Sequence, residues 1–244
     1  MSGAAAQTPT DAKQWADSAR KAIDVAYLSG EPDQLVQARA LIERALTRFP
    51  ADPWLLHYRG YALYREATLR MGKEKRSDVV DLLEEAAESF EQSSVHLDLA
   101  ESDALLSSVI GQQIGSNPLK GMTLGPKSSN AMERALQKGP QNPRVWLLKG
   151  IGEHYTPGMF GGGDDKAEAS IRKAIPLFDN DKPATPAPTW GKDEAWLWLG
   201  QVLEERGKWE EARQAYQKSL ELEPRNQWVS TELLPNLDKR KAKK

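Results

Sequence analysis

The apolar and small residues of this chain recur every three to four positions, which is the spacing of helices that bury one face. Across residues 11–30, for example, one stripe contains Trp15, Ala19, Ile23 and Ala26. Sustained alternation with a period of two, the pattern of half-buried β-strands, is absent from the sequence. The pattern therefore predicts an all-α protein.

Two segments that lie 90 residues apart repeat one pattern of apolar, proline and glycine positions. They are "ALTRFPADPWLLHYRG" (45–60) and "ALQKGPQNPRVWLLKG" (135–150). Each is typical of a helix end, a turn and a new helix, because proline is favoured just past one helix and in the first turn of the next. Helix pairs that recur in this way indicate a repeat protein.

The clearest repeat unit is "DEAWLWLGQVLEERGKWEEARQAYQKSLELEP", residues 193–224. Counting Asp193 as position 1, Gly200 falls at position 8 and Ala212 at position 20, where small residues let two antiparallel helices cross closely. Tyr216, at position 24, fills the space between the pair and its neighbour. This segment closely resembles the tetratricopeptide repeat. Two positions depart from the family's pattern, Leu203 and Ser219.

The other units are looser, and in the one that covers residues 103–140 we place Gly111 at position 8. We predict a right-handed superhelical solenoid of about five tetratricopeptide-like antiparallel helix pairs, since three or more units are needed to bury a continuous core. The expected organisation is a flexible N-terminus (1–10), one helical-repeat domain (11–226) and a C-terminal extension with a frayed basic tail (227–244).

The only glycine triplet lies in "YTPGMFGGGDDK" (155–166). A phosphate-binding P-loop requires Gly-Lys-Ser/Thr after a strand, whereas here aspartates follow the glycines and would repel an anion. The preceding unit carries "SNPLKGMTLGPK" (116–127), with the same five-residue expansion. We therefore expect two matched loops, with Asp164 or Asp165 capping the next helix. In the first loop, Met159 and Phe160 would either pack into the core as plugs or form the lip of a binding site.

The segment 111–178 resembles a bacterial subgroup of tetratricopeptide proteins of mostly unassigned function, and is more weakly similar to the partner proteins of TRAP-type transport systems. The resemblance implies a concave groove lined by the first helix of each unit. Aromatic and arginine side chains there would anchor a peptide or an amphiphilic ligand; the alternative is that these large side chains are core. The implied groove residues are Trp54, His57, Tyr61, Tyr64, Arg65, Gln112, Arg144, Leu147, Ile151, His154 and Tyr155.

Composition narrows the possible functions. The net charge is −2, with 33 basic and 35 acidic residues, which argues against a nucleic-acid-binding surface over the whole chain. The sequence has no cysteine, and its three histidines fall on different predicted helices, so no metal or other cofactor is expected. The longest apolar runs are far shorter than the roughly 20 residues that span a bilayer.

We therefore expect a non-catalytic binding or scaffold protein whose groove holds a peptide or protein partner. The alternative is an exported accessory protein that binds a small apolar or amphiphilic solute and docks to a transporter component. An enzyme ranks third, because a catalytic function must be argued from a site and the sequence offers no catalytic site. "AAAQTPT" after "MSG" fits either a cytoplasmic start or the remnant of a cleaved export signal, and slightly favours a periplasmic location.

Overall fold

The computed structural model describes residues 10–242, and within this range it contains eleven α-helices and no β-strand. The predicted N-terminal segment 1–10 lies, except for Thr10, outside the described residues, as do Lys243 and Lys244. The helices are α1 (Ala12–Leu28), α2 (Pro32–Arg48), α3 (Pro53–Arg70), α4 (Arg76–Ser94), α5 (Ala100–Ser116), α6 (Gly121–Lys138), α7 (Pro143–Tyr155), α8 (Asp164–Phe178), α9 (Lys192–Glu205), α10 (Trp209–Leu222) and α11 (Leu234–Lys241).

The first ten helices form five antiparallel pairs, which confirms the predicted helical-repeat solenoid. Glycine allows the closest approach inside three of the pairs. A Cβ on Gly200 would lie 2.5 Å from the Tyr216 ring, and one on Gly150 would lie 2.5 Å from Ile171. Gly60 meets the Phe90 ring in the same way. The core lies between the helices of each pair and between successive pairs.

The two segments that repeat at an offset of 90 residues begin their helices identically. At α3 the side chain of Asp52 accepts hydrogen bonds from the backbone N–H groups of the second and third helical residues, and at α7 Asn142 does the same. A proline, Pro53 or Pro143, occupies the first helical position, where its missing N–H has no intrahelical partner to lose. The sequence repeat is therefore a repeat of one helix-start motif.

The predicted register of the third pair is wrong by one helical turn. Gly111 is exposed, and a Cβ there would meet open space. Because α5 begins at Ala100, its eighth residue is Ser107, and the Ser107 hydroxyl hydrogen-bonds the Ser128 hydroxyl of α6 at 3.0 Å. A serine pair thus takes the place of the glycine contact at this helix crossing.

The expected pair of matched loops is also wrong, because α6 begins at Gly121 and continues through Pro126. Pro126 is exposed in the second turn of the helix, where it costs one backbone hydrogen bond without disturbing the core. Of the two segments, only 155–166 contains a long connection, residues 156–163, with a 3₁₀ turn at Gly158–Phe160.

The C-terminal extension is helical as far as it is described, rather than frayed. A π-helical turn (Trp228–Leu233) leads into α11, whose Leu237 is buried. Arg240 donates hydrogen bonds to the Glu204 carboxylate of α9 and so ties the extension to the last repeat. Within residues 10–242, no helix is long and apolar enough to cross a membrane.

Candidate functional site

The first helices of the pairs form one face of the solenoid, which we call the inner face. The segment between α8 and α9, residues 179–191, lies against this face, and we call it the connector. Four of its residues, Pro186, Pro188, Trp190 and Gly191, are buried, whereas Thr185 and Thr189 are exposed. The segment is irregular, because residues 185–187 form a turn in which the Ala187 N–H donates to the Ala184 carbonyl oxygen at 2.8 Å. The connector is therefore an irregular segment whose buried side chains pack against the helices.

Trp190 is the aromatic anchor of the connector. Its ring stacks on Tyr61 of α3, with centroids 5.5 Å apart and an interplanar angle of 15°. The Arg65 guanidinium lies 5.1 Å from the Trp190 ring and 3.9 Å from the ring of Tyr27 on α1. Tyr61 thus contacts the indole by stacking and Arg65 contacts it by a cation–π interaction.

Two buried arginines of the inner face are neutralised around the connector. Arg65 donates one hydrogen bond to each carboxylate oxygen of Glu194, at 2.9 and 2.5 Å. Arg144, with 0% of its surface exposed, pairs with Asp181 of the connector and lies 3.6 Å from Glu101. An unpaired buried charge is strongly destabilising, so the Arg144 pair holds the start of the connector and the Arg65 pair holds the first turn of α9 that follows it.

The same region raises the pKa of two carboxyl groups. Burial, together with the neighbouring Glu194 charge, raises the pKa of Asp193 to about 7. Burial also raises the pKa of Asp24 on α1 to about 6, although Arg20 and Arg65 act in the opposite direction. Desolvation favours the neutral form of a carboxyl group, so these two groups titrate near neutral pH.

Most of the residues predicted for the groove therefore lie beneath the connector or in the core. Trp54, Gln112 and Ile151 are half-buried. The His57 Nδ1 lies 2.8 Å from the Ser102 hydroxyl, and burial lowers the pKa of the His57 ring to about 3, so the ring is uncharged. Six of the predicted groove residues are buried, so that a partner could not reach them in this structure. They are His57, Tyr61, Tyr64, Arg65, Arg144 and Leu147.

Another part of the inner face carries aromatic side chains that the connector does not cover. His154, Tyr155, Trp198 and Trp228 form a continuous cluster, which we call the aromatic surface. Tyr155 meets His154 at 4.9 Å and Trp198 at 5.9 Å between ring centroids, and Trp198 meets Trp228 at 6.2 Å, all edge-to-face. Tyr155 is 69% exposed and Trp228 38% exposed. Tyr155 and Trp228 can therefore contact a ligand directly, whereas the His154 side chain is 14% exposed.

His154 is held in one orientation by α8. Its Nδ1 lies 2.7 Å from the Asp164 carboxylate, and because a carboxylate accepts, Nδ1 carries the ring proton. Nε2, on the opposite side of the ring, is then the atom with the free lone pair. The prediction that Asp164 or Asp165 caps α8 is wrong: Gly163 is the N-cap residue, and Asp165 pairs with Arg206 at 2.6 Å.

The glycine triplet shapes the connection beside this surface. Gly161 and Gly163 have positive φ angles of 92° and 109°, and a Cβ on Gly162 would lie 2.0 Å from the Thr156 carbonyl oxygen. The turn therefore folds tightly against the end of α7. Met159 (84% exposed) and Phe160 (73% exposed) project from it and are not core plugs.

Sequence reasoning missed Trp198 and Trp228. Trp198 lies at position 6 of the last repeat, outside the positions expected to line a groove, and Trp228 follows the repeat. Neither position carries a repeat signal that could have marked it. Within residues 10–242, no group of three or more His, Asp or Glu side chains is arranged to hold a metal ion.

Residues 193–226 match the family model of the tetratricopeptide repeat. Among solved structures, the HusA haemophore from Porphyromonas gingivalis aligns with a TM-score of 0.67 and 26% identity, covering 80% of this chain and 94% of that protein. A thermophilic TPR protein from Thermus thermophilus aligns with a TM-score of 0.57 and 22% identity, covering 93% of this chain and 97% of that protein. No curated protein matches by sequence. The chain thus contains a tetratricopeptide repeat and has the helical-repeat fold of such proteins.

Proposed function

We propose that the protein is a non-catalytic binding protein whose aromatic surface holds a peptide or a segment of a partner protein. The observation that carries this proposal is the exposure of Tyr155 and Trp228 within a cluster of four packed rings. Tyrosine and tryptophan give large contact areas at a low cost in conformational entropy, and exposed apolar clusters mark interaction sites.

The contacts of the connector support a peptide as the ligand. The neighbouring inner face already holds a segment of the chain through buried proline and tryptophan side chains, with Trp190 as the anchor. Buried aromatic anchors of this kind carry much of the binding energy at protein interfaces. The two predicted lip residues, Met159 and Phe160, are exposed beside the end of α7 and would extend the contact area.

Site-specific photocrosslinking tests the proposed surface. A benzoyl-phenylalanine at position 155 should crosslink one defined partner in cells, because that side chain lies within the proposed contact. The matched control is the same probe at Val95, which is 70% exposed but lies beyond the end of α4. Trp198→Ala should abolish the crosslink from position 155. Equal crosslinking from both positions, or none from position 155, would contradict the proposal.

The second candidate function is binding of a planar apolar solute such as haem. It is favoured by the likeness to a protein named as a haemophore over 80% of this chain. The aromatic surface supports it, since a flat ring system can stack on or lie edge-to-face against Tyr155, Trp198 and Trp228. Binding to the purified protein separates the two candidates, because a solute would bind without any partner. Trp198→Ala should weaken that binding as well.

A further inference from the structure

We propose that Nε2 of His154 ligates the iron of a haem that lies on the aromatic surface. This inference rests on the second candidate function, to which it adds a specific iron ligand. The other inner-face histidine, His57, is fully buried beside Ser102 and cannot reach a ligand at the surface.

The hydrogen bond from His154 to Asp164 is the first observation behind this assignment. A carboxylate that accepts the Nδ1 proton at 2.7 Å orients the ring, and in the neutral ring the lone pair then lies on Nε2. The His154 side chain is 14% exposed. Metal-binding histidines are generally oriented by such a partner, which also raises the basicity of the ligating nitrogen. Asp164 is itself held as the first residue of α8, behind the tight glycine turn.

The position of the imidazole within the aromatic surface is the second observation. Tyr155 lies 4.9 Å and Trp198 6.5 Å from the His154 ring between centroids. A porphyrin placed over Nε2 would therefore lie within reach of aromatic rings that can bind its periphery. One protein ligand is sufficient for haem, because the porphyrin nitrogens supply the four equatorial bonds. The absence of a three-ligand metal cluster among residues 10–242 is thus compatible with this site.

The binding step is a ligand exchange without a change in oxidation state. The Nε2 lone pair forms a dative bond to ferric iron, and the water or anion in that axial position leaves. The Nδ1 proton stays in its hydrogen bond to Asp164. No oxidant, reductant or proton transfer is required, so the step can be followed with purified protein and ferric haem alone.

The test is a titration of the full chain with ferric haem, followed through the Soret band and the ligand-field bands. Wild type should give a histidine-ligated spectrum. His154→Ala should lose that spectrum and bind haem at least about 10-fold more weakly. Asp164→Asn should weaken binding by about 10-fold, which is typical of the loss of a ligand's orienting partner. The control is His96→Ala, which removes an exposed histidine and should leave the titration unchanged.

Iron-free protoporphyrin separates ligation from stacking. Its affinity, measured by quenching of tryptophan fluorescence, should be the same for wild type and His154→Ala and should fall in Trp198→Ala. Added imidazole should restore a ligated spectrum to His154→Ala with haem. If His154→Ala binds haem with the wild-type spectrum, the ligand assignment is overturned while the second candidate function stands. If wild type binds neither porphyrin, both fail. Circular dichroism confirms that each variant is folded.

Discussion

The inner face of the solenoid has a covered part, which we call the closed end, and an uncovered part, which we call the open end. At the closed end Tyr61 and Arg65 of α3 are buried against Trp190 and Glu194. At the open end Tyr155 of α7 is 69% exposed and meets the rings of His154 and Trp198. The repeat pattern assigns the same role to both ends. Accessibility is therefore decided by whether another part of the chain covers a position, and not by its place in the repeat.

The largest effect is expected from Glu194→Ala, which leaves the Arg65 guanidinium buried without its carboxylate. Breaking one partner of a buried ion pair costs about 3–5 kcal/mol, and this loss should appear in urea unfolding followed by circular dichroism. The control is Glu88→Ala on the exposed face of α4, which should change stability by less than about 0.5 kcal/mol. Equal stabilities of the two variants would show that the closed end does not depend on the ion pair.

A tryptophan comparison tests the two ends directly. Trp190→Ala removes a buried ring that stacks on Tyr61, and we expect a loss of about 3 kcal/mol in the free energy of unfolding. Trp228→Ala removes a partly exposed ring of the aromatic surface, and the loss should stay below about 1 kcal/mol. The distinction between the ends fails if the two variants lose the same stability.

A pH dependence of stability should also originate at the closed end. The pKa of Asp193 is raised to about 7 and that of Asp24 to about 6, in both cases mainly by burial. A carboxyl group whose pKa rises on folding stabilises the folded state below its unfolded pKa, near 4, and loses that contribution as the pH rises through the folded pKa. The free energy of unfolding should therefore fall between about pH 4 and about pH 8.

The size of this fall should be at least about 1 kcal/mol, the equivalent of less than one pKa unit. Replacing both aspartates, as Asp24→Asn with Asp193→Asn, should flatten the dependence, because an amide does not ionise. Asp81→Asn, on an exposed position of α4, is the control and should leave the slope unchanged. A profile that is flat in the wild type would contradict the raised pKa values.

The sequence was sufficient for the architecture because repeat spacing is a local signal. The glycine at position 8 was correct for Gly60, Gly150 and Gly200, each of which meets the second helix of its pair. The same assumption was wrong for Gly111, because Ser107 provides the contact to the partner helix there. A serine pair gives no distinctive sequence pattern, so the register of that unit could not be read from spacing alone.

The candidate site was only partly predictable. His154 and Tyr155 were placed on the inner face by their repeat positions, and the structure finds them together in the aromatic surface. The cover over Tyr61 and Arg65 could not be predicted, because it depends on contacts between residues far apart in sequence. Arg65 and Glu194, for instance, are 129 residues apart. Trp228 was missed because it lies outside the repeat.

The route of the connector also limits how this protein could have changed in length. Arrays of helical repeats contact only their neighbours, so units can be added or lost by duplication. Here Arg20 bonds Thr189, 169 residues away, and Tyr58 donates to the Pro186 carbonyl oxygen, 128 residues away. A helix pair inserted between α3 and α8 would carry the connector away from both partners. The number of helix pairs between α3 and the connector is therefore limited by these two contacts.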